Sequence, residues 1–502
     1  MSNKSHQPMW KEEGSAPSFP ALKETAFADT VIVGGGITGI VSAYLLTKAG
    51  KKVVLLESTK LVNGTTGHTT AKVTSQHNLI YDQLIQTIGE QQARLYYEAN
   101  QEALQWVRRV IQENKIDCDW EDETAFVYTN ADKETETVKN EAESYKQLGI
   151  AGSLTDTMPW KTPFKEAVSM EGQGQFHPLK FLSPLIQYIT ENGGEIYEST
   201  VAKDIEKGDR QTVITKDGAK AIGDHIVIAS HFPFYDDGFY FAKMHAQRSY
   251  VIAIKPKTAF PGGMYITAET PTRSVRSARL HGEEVLLIGG EGHKTGKKQG
   301  TEENYQALIN FAEKEFGIEQ LLHSWSAQDL VTLDNIPYIG RLRKDENIYV
   351  ATGFKKWGMT SSIVSALLLS DLILNKQNRY AELFSPERFT ADPSIRNFVK
   401  QNSDVAGTFI KGKLDRLFRE QEALPPNKGV VINWEGKRAG AFKEEDGTVH
   451  IVDTTCTHLG CECEWNEAER TWDCPCHGSR FAVTGEVVEG PAIEPLRKIG
   501  RD

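Results

Sequence analysis

A short apolar run that ends in closely spaced glycines constrains the fold of this chain more than any other feature. Residues 30–57 read "TVIVGGGITGIVSAYLLTKAGKKVVLLE". The pattern predicts a β-branched strand, a glycine turn, a helix to about Lys48 and a second, parallel strand at 51–57. This order of elements is a βαβ unit, which occurs in α/β folds built on a parallel sheet.

Each glycine of the turn has its own physical role. In the GxGxxG pattern, Gly34 permits a tight turn, Gly36 lets a pyrophosphate approach the backbone, and Gly39 lets helix and strand pack closely. Glu57 follows 57 − 39 = 18 residues later, where its carboxylate can accept a hydrogen bond from a ribose. The helix adds N–H groups and a positive dipole end for phosphate at its first two residues, Ile37 and Thr38. The sequence therefore predicts a dinucleotide site, NAD or FAD, with a purely structural βαβ unit as the alternative.

Charge and hydropathy narrow the classes of partner. The 502 residues include 57 Lys and Arg against 68 Asp and Glu, a formal charge of −11. This balance disfavours nucleic acid or an anionic membrane, because little would neutralise the phosphates, and favours a small molecule or a basic partner. The N-terminus has no apolar signal region, and the most apolar runs, 31–46 and 361–374, are too short to span a bilayer. We therefore expect a cytoplasmic protein.

Five of the six cysteines lie in the last tenth of the chain. Four of them, with two histidines, form the boxes "CTHLGC" at 456–461 and "CPCHGS" at 474–479. Soft thiolates together with imidazoles favour zinc or an iron–sulfur cluster. A zinc knuckle with the same four ligands is the competing interpretation of this pattern.

Between about residues 28 and 380 the chain resembles the FAD-dependent oxidoreductases of the D-amino-acid oxidase, glycine oxidase and sarcosine oxidase family. The matching motifs are the glycine stretch above, "NGTTGHTTAK" (63–72), "GGEIYESTV" (193–201), "DNIPYIG" (334–340) and "IYVATGFKKWGMTSS" (348–362). The resemblance implies FAD, with a Thr-rich loop under the pyrophosphate and flavin and a later turn around the flavin ring. The contacts it implies are Thr65, Thr66, His68, Val201, Gly353, Lys356, Gly358, Met359 and Thr360.

Two positions in this resemblance need separate treatment. Related dehydrogenases link FAD covalently to a loop histidine, so His68 could form such a bond; the alternative is a histidine that is hydrogen-bonded near the cofactor. Amine-oxidising members often clamp a substrate carboxylate with an arginine, but in "WSAQDLVTLD" (325–334) Gln328 or Asp329 takes its place. An ordinary α-amino-acid oxidase is therefore not expected. Asp329 could attract a cationic amine or be a surface or helix-capping acid, and Arg248 could contact an anion or be structural.

The last 79 residues, 424–502, resemble a Rieske [2Fe–2S] domain, since both boxes match and "GPA" follows at 490–492. The resemblance implies that Cys456 and Cys474 hold one iron and that His458 and His477 hold the other. It also implies a disulfide between Cys461 and Cys476, which leaves Cys463 as a free thiol. Ser479 matches a serine that hydrogen-bonds the cluster in high-potential members, but a tyrosine donor is replaced by Phe481. We therefore expect a reduction potential in the middle of the Rieske range, ~ −150 to +300 mV.

The expected architecture is an α/β FAD-binding Rossmann-type domain with an interleaved α+β substrate domain, followed by a C-terminal all-β Rieske domain. The expected boundaries are a flexible tail at 1–24, the oxidoreductase at 25–395, a connector at 396–423 and the Rieske domain at 424–502. Within the oxidoreductase we expect FAD-binding parts at about 28–80, 170–234 and 325–380, and substrate-domain parts at about 115–165 and 235–325.

Two redox centres on one chain predict an enzyme that moves electrons between them. A flavin accepts two electrons as a hydride, whereas a Rieske cluster carries one. We expect a small organic substrate, an amine, to reduce FAD and the electrons to leave singly through the cluster to a soluble partner; the reverse flow is also allowed. The alternatives are an oxygen-using amine oxidase with a structural Rieske domain and a non-catalytic redox sensor or electron-transfer module.

Overall fold

The computed structural model describes residues 6–14, 17–344, 346–388 and 424–499. Two large sheets and the helices come from the first three ranges, and two small sheets come from the last. The described helices are α1 (Trp10–Glu13), α2 (Ile37–Lys48), α3 (Tyr81–Ile88), α4 (Glu90–Asn114), α5 (Asp132–Leu148), α6 (Pro178–Glu191), α7 (Tyr240–Lys243), α8 (Glu302–Phe316), α9 (Gly358–Ile373) and α10 (Ala381–Phe384).

The first sheet contains the predicted βαβ unit. Its strands are β1 (Ala26–Val33), β2 (Val53–Leu56), β7 (Glu195–Tyr197), β8 (Ala202–Glu206), β9 (Gln211–Thr215), β10 (Lys220–Ile228), β16 (Tyr338–Arg341) and β17 (Ile348–Thr352). The central order β17-β10-β1-β2-β7 is parallel throughout. Helices α2, α6 and α9 pack together on one face, and the opposite face has its own apolar core. Because both faces are covered, β2 is a fully buried apolar run.

The second sheet is mixed and contains β3 (Lys72–Val73), β4 (Glu121–Thr129), β5 (Gly152–Thr155), β6 (Glu166–Gln175), β11 (Met244–Pro256), β12 (Met264–Thr267), β13 (Arg273–Leu280), β14 (Glu283–Lys294) and β15 (Ile318–Thr332). It extends past the expected substrate-domain limits, because β6 pairs with β4 and β15 pairs with β11 along its whole length. Strand partners depend on long-range hydrogen bonds, which the hydrophobic pattern does not reveal. The expected boundaries near 165 and 325 therefore cut into this sheet.

The C-terminal range forms two antiparallel sheets. One contains β18 (Gly429–Trp434), β19 (Lys437–Lys443) and β20 (Val449–Asp453), and the other contains β21 (Glu464–Asn466), β22 (Thr471–Asp473), β23 (Arg480–Ala482) and β24 (Val487–Glu489). A small core joins them, in which Trp472 and Phe481 are fully buried beside the cysteines. The expected all-β C-terminal domain is confirmed.

The N-terminal segment differs from expectation. Met9 and Trp10 are buried, and Trp10 Nε1 donates to the carbonyl of Thr69 at 2.8 Å. Further along, the backbone N–H of Leu22 donates to Thr200 Oγ1 at 3.0 Å. The expectation of a flexible tail over 1–24 is therefore wrong for the described part of that range, because a few apolar anchors hold a polar segment in place. The connector expected at 396–423 lies outside the described residues.

No helix among the described residues combines the length and the apolar character that crossing a bilayer requires.

Candidate functional site

The glycine turn has the close backbone packing that its sequence predicts. Gly34 adopts φ +116°, and a Cβ there would lie 2.3 Å from the carbonyl oxygen of Ala229. A Cβ on Gly39 would lie 1.9 Å from the carbonyl oxygen of Gly34. At Gly36 the first atom that a Cβ would meet is Thr66 Oγ1, at 3.1 Å. The protein's own backbone therefore excludes any side chain at Gly34 and Gly39. Gly36, in contrast, faces space that a ligand can occupy.

Two side chains tie the neighbouring loops to this turn. Thr66 Oγ1 accepts a hydrogen bond from the N–H of Ile37, the first residue of α2, at 3.0 Å. The Glu57 carboxylate accepts from the N–H of Gly35 at 2.8 Å and from the N–H of Thr59 at 2.8 Å. The Thr-rich loop and the acid at the end of β2 therefore close around the helix N-terminus, where a phosphate is favoured.

A cavity of about 700 Å³ opens from this turn, within the usual range for cofactor sites. Most of the residues expected to contact FAD line it: Gly34, Gly36, Ile37, Thr38, Glu57, Thr65, Thr66, His68, Val201, Lys356, Gly358 and Met359. The start of α9 at Gly358 gives the cavity a second helix N-terminus. The open Gly36, the two helix ends and the cavity volume together fit a bound FAD.

Three of the expected contacts do not line the cavity. Gly39 packs against the backbone, as described above. Gly353 is a turn residue with φ +78°, and its Cβ would lie 2.3 Å from a methyl carbon of Thr332. Thr360 Oγ1 donates to the carbonyl of Thr74 at 3.0 Å and faces away from the cavity. Gly353 and Thr360 are therefore corrected to supporting positions, because a motif locates a segment but not the direction of each side chain.

His68 lies where the Thr-rich loop meets the cavity. Its Nδ1 donates to the carbonyl of Gly64 at 2.9 Å, and burial lowers the pKa of the imidazole. The ring is therefore neutral and fixed by its own loop, which matches the interpretation of His68 as a hydrogen-bonded histidine near the cofactor.

Several titratable groups line the cavity. Burial raises the pKa of Asp329 to about 7, lowers that of Lys72 to about 7 and lowers that of Lys355 to about 8. Lys356, whose pKa is also lowered by burial, lies beside Asp329. Asp329 belongs to strand β15 and lines the cavity, so its interpretation as a surface or helix-capping acid is wrong. Groups with pKa values near neutrality can exchange protons with a substrate.

The two cysteine and histidine boxes form loops of the same shape. In the first, the N–H of Cys456 donates to the carbonyl of Cys461 at 2.7 Å; in the second, the N–H of Cys474 donates to the carbonyl of Ser479 at 2.7 Å. Each loop is also closed by a glycine N–H to the carbonyl of its first cysteine. The two loops therefore present their ligand-type side chains to one shared space.

The atoms that face this space fit an iron–sulfur cluster. The rings of His458 and His477 lie 5.0 Å apart, and the Nδ1 atom of each is buried without a hydrogen-bond partner in the described structure. Burial lowers the pKa of both imidazoles, that of His477 to about 4, so both are neutral and able to bind a metal. Two unsatisfied nitrogens beside the Sγ atoms of Cys456 and Cys474 are the donor set that the C-terminal resemblance implies.

The remaining cysteines take two different states. Cys461 and Cys476 form a disulfide with an S–S distance of 2.05 Å, which joins the two loops. Cys463 is a free, fully buried thiol whose Sγ lies within 4.8 Å of the Sγ atoms of Cys456 and Cys474. Burial raises the pKa of this thiol, so it stays protonated. On the outer side, Leu459 next to His458 is 51% exposed.

The C-terminal domain is docked on the two large sheets through buried polar contacts. Arg248 is fully buried and its guanidinium donates to Glu489 at 3.1 Å, so the anion it contacts is part of the chain. Gln328, at the place of the missing arginine, donates to the carbonyl of Gly478 at 2.9 Å. Thr301 donates to Asn466 at 2.8 Å farther along the interface. The position at which related enzymes carry a clamping arginine is therefore used here for docking.

One side chain lies between the two sites. Phe232 lines the cavity, and its ring lies 5.8 Å from the ring of His458 and 6.4 Å from that of His477. Phe241 approaches His477 from the same segment, at 6.0 Å. The motifs gave no signal for these phenylalanines, because their importance depends on docking between parts of the chain more than two hundred residues apart.

Comparisons with known proteins agree with this geometry. A family profile described as FAD dependent oxidoreductase matches residues 29–372, and one described as Rieske [2Fe-2S] domain matches residues 417–500. A Bacillus subtilis protein named as a Rieske 2Fe-2S iron-sulfur protein, YhfW, is 50% identical over 98% of this chain and 97% of its own length. Gamma-glutamylputrescine oxidoreductase of Escherichia coli is 24% identical over 72% of this chain and 87% of its own.

The fold is also found among solved structures. Glycine oxidase from Geobacillus kaustophilus superposes with a TM-score of 0.62 at 17% identity, covering 72% of this chain and 99% of that one. The profile match spans more than half of the chain and includes the glycine turn and most of the residues that line the cavity. The chain therefore belongs to the FAD dependent oxidoreductase family, with FAD and a C-terminal Rieske [2Fe-2S] cluster as its cofactors.

Proposed function

We propose that this protein oxidises a small organic amine and passes the electrons one at a time through its Rieske cluster to a soluble acceptor. When bound, FAD supplies two-electron hydride chemistry and the cluster supplies a one-electron centre. In this proposal the chain positions the substrate, holds the cofactors and excludes water between them.

The residues proposed to hold the cofactors are those that the geometry brings together. Cys456 and Cys474 would bind one iron through thiolates, and His458 and His477 would bind the other through Nδ1. The twelve cavity-lining residues listed above would contact FAD. The unsatisfied imidazole nitrogens support the first assignment, and the open face of Gly36 supports the second.

An amine substrate is supported by the acidic side chain of Asp329 in the cavity. No arginine lines the cavity among the described residues, and Arg248 is occupied by Glu489. Asp329 provides a carboxylate that can attract an ammonium group and accept its proton. The relatives point the same way, since gamma-glutamylputrescine and glycine, named in two of them, are both amines.

The observation that carries the proposed electron route is the position of Phe232. This side chain borders both the cavity and the two imidazoles of the cluster site, which supports a short path between the two centres. The partly exposed side of the cluster site, next to Leu459, gives an electron acceptor access from outside.

The route is tested by anaerobic stopped-flow with an amine that bleaches the flavin band, with freeze-quench EPR to follow reduction of the cluster. Phe232→Ala is expected to leave bleaching at the wild-type rate and to slow cluster reduction at least about tenfold. Phe234→Ala is the matched control, because Phe234 lines the cavity without a ring contact to either imidazole. Equal rates of cluster reduction in the two variants would contradict the route.

The same system separates the proposal from an oxygen-using oxidase. Cys474→Ser removes a ligand of the proposed cluster, so oxidation of the amine coupled to a soluble one-electron acceptor should fall. If this variant oxidises the amine at the wild-type rate with stoichiometric peroxide, the cluster is structural and the proposed function is wrong.

A further inference from the structure

One segment of the Rieske domain lies against the FAD cavity. Residues 486–495, here called the closing segment, start with β24 and continue past the cis peptide bond between Gly490 and Pro491. Nine of its ten residues line the cavity: Glu486, Val487, Val488, Glu489, Gly490, Pro491, Ala492, Ile493 and Pro495. A wall of the FAD site therefore comes from a domain that carries a different cofactor.

The closing segment is held at two separate places outside the Rieske domain. At one, Lys216 Nζ donates to the carbonyl of Ile493 at 2.9 Å and forms an ion pair with Glu494 at 2.9 Å. Lys216 also donates its backbone N–H to Val201, which lines the same cavity. At the other place, Glu489 accepts a hydrogen bond from Arg248, which also donates to Gln328. The segment thus runs along the cavity rather than touching it at one point.

The same segment is fixed to both cluster loops. The N–H of Ala492 donates to Ser479 Oγ at 3.0 Å, and Thr457 Oγ1 donates to the carbonyl of Glu494 at 2.6 Å. Movement of the segment away from the cavity would therefore require the cluster loops, or the whole domain, to move with it.

We propose that the closing segment is part of the FAD site and that docking of the Rieske domain retains the cofactor. A docked domain buries FAD surface that would otherwise face water, so the cofactor binds more tightly and leaves more slowly. The coupling is reciprocal, since a cofactor that binds the docked form better must also stabilise docking. The family assignment supplies FAD, and the proposal does not depend on the direction of electron flow.

The first test displaces the domain from a point outside the cavity. Gly296 has φ +66°, and a Cβ there would lie 2.7 Å from the backbone nitrogen of Pro475 and 2.8 Å from the carbonyl oxygen of Asp473. Gly296→Leu places a side chain between the domains. Gly282→Leu is the control, because Gly282 has a similar φ of +80° and a Cβ there meets nothing within 4 Å. Both variants carry the same type of backbone strain, but only the first pushes on the Rieske domain.

The second test weakens the contact between the closing segment and Lys216 without inserting a bulky side chain between the domains. Glu494→Lys replaces the ion pair with Lys216 by a repulsion, at a position that does not line the cavity. Glu445→Lys makes the same charge change on the exposed surface of the same domain. FAD retention is measured by diluting each holoprotein and following the rise of free-flavin fluorescence, with cluster EPR as a check that the cluster is intact.

The expected result is an FAD dissociation constant raised at least about tenfold in Gly296→Leu, a smaller rise in Glu494→Lys, and values within about twofold of wild type in both controls. Equal FAD affinity in all four variants would overturn the proposal. Flavin that stays attached to the unfolded wild-type chain would overturn it too, because a covalent bond would then retain FAD without the segment. Neither outcome bears on electron transfer, which is measured separately.

Discussion

Gln328 and Asp329 are neighbours on β15 that serve opposite sides of the strand. Gln328 donates to Gly478 of the Rieske domain, whereas Asp329 lines the FAD cavity. Successive side chains of a strand point to opposite faces, so adjacent residues can take unrelated roles. The loss of an arginine from this region is therefore explained by two replacements, one for docking and one for the chemistry of the cavity.

Asp329 predicts a pH dependence of substrate oxidation. Its pKa is raised to about 7 by burial, so below neutral pH the carboxyl is protonated and cannot accept a proton from an ammonium substrate. The rate of anaerobic flavin bleaching should rise as pH increases through about 7. Asp329→Asn should lower kcat/KM by about 10²–10⁴-fold and remove this rise. Asp224→Asn, at a surface ion pair, is the control and should keep the wild-type profile.

His68 predicts non-covalent FAD. Because Nδ1 is engaged by Gly64 and the ring is neutral, the loop keeps its shape without a bond to the flavin. Acid precipitation should release all of the yellow colour into the supernatant, and His68→Ala should still bind FAD. Colour that remains in the pellet of the wild type but not of the variant would show a covalent link.

Ser479 predicts a change in the potential of the cluster. Its hydroxyl accepts from the N–H of Ala492 and lies in hydrogen-bond contact with Cys456. Loss of a donor near the sulfurs makes the reduced cluster less stable. Ser479→Ala should therefore lower the reduction potential by about 60 mV, equivalent to about 1.4 kcal/mol for one electron. Ser479→Thr keeps a hydroxyl, so its reduction potential should stay close to that of the wild type. Both potentials are measured by a redox titration followed by EPR.

At the scale of the element, the two cluster loops are held by matching backbone hydrogen bonds and by one covalent link. The disulfide Cys461–Cys476 spans a sequence separation of 15 and joins the two loops. Each loop is otherwise fixed to its own strands, so the cross-link limits how far one loop can move from the other. A closed loop of this length restricts the unfolded chain by about 3 kcal/mol in the chain-entropy account.

Removal of this cross-link should destabilise the cluster domain before it affects the FAD domain. In Cys461→Ser/Cys476→Ser, the cluster absorbance should be lost at a lower urea concentration than in the wild type. The shift should correspond to a decrease of about 3 kcal/mol in the free energy of unfolding of the cluster domain. The control is Cys118→Ser, which changes a buried free thiol in the FAD-binding part and should leave the cluster transition unchanged. Cluster loss at the same urea concentration in all proteins would contradict a bracing role.

Sequence reasoning found the elements whose chemistry depends on local spacing. The glycine turn and the two boxes were predictable, because Gly34 and Gly39 are required by close backbone contacts and the proposed cluster ligands lie on two short loops. Phe232 and the closing segment were not predictable, since neither carries a motif and their roles arise from docking between distant parts of the chain. The buried start of the chain was missed for the same reason.

At the scale of the whole molecule, a group of buried charges joins the two parts. Arg248 and Arg480 face the carboxylates of Glu489 and Asp473, and all four side chains lie at the interface or next to it. A buried ion pair adds little net stability compared with apolar residues, but removal of one partner leaves a charge without compensation. This arrangement favours one docked position over others.

Arg248→Met should therefore weaken docking and lower the free energy of unfolding by about 3 kcal/mol. The double variant Arg248→Met/Glu489→Gln also removes the carboxylate that has lost the nearer of its two arginine partners, and it should recover part of the loss, as a double-mutant cycle in urea will measure. Arg210→Met breaks an exposed pair with Asp224 and should cost less than about 1 kcal/mol. Equal losses in the Arg248 and Arg210 variants would contradict a role for this network in docking.

The contact of Phe232 with both imidazoles has a consequence for reaction order. A flavoenzyme that hands electrons to a separate iron–sulfur protein slows on dilution, because the two must collide. In the route proposed here, the donor and the carrier are parts of one chain, so their effective concentration does not depend on how much protein is present. Internal transfer is then first-order, and only the substrate and the final acceptor remain concentration-dependent, even in a cell that holds very few copies.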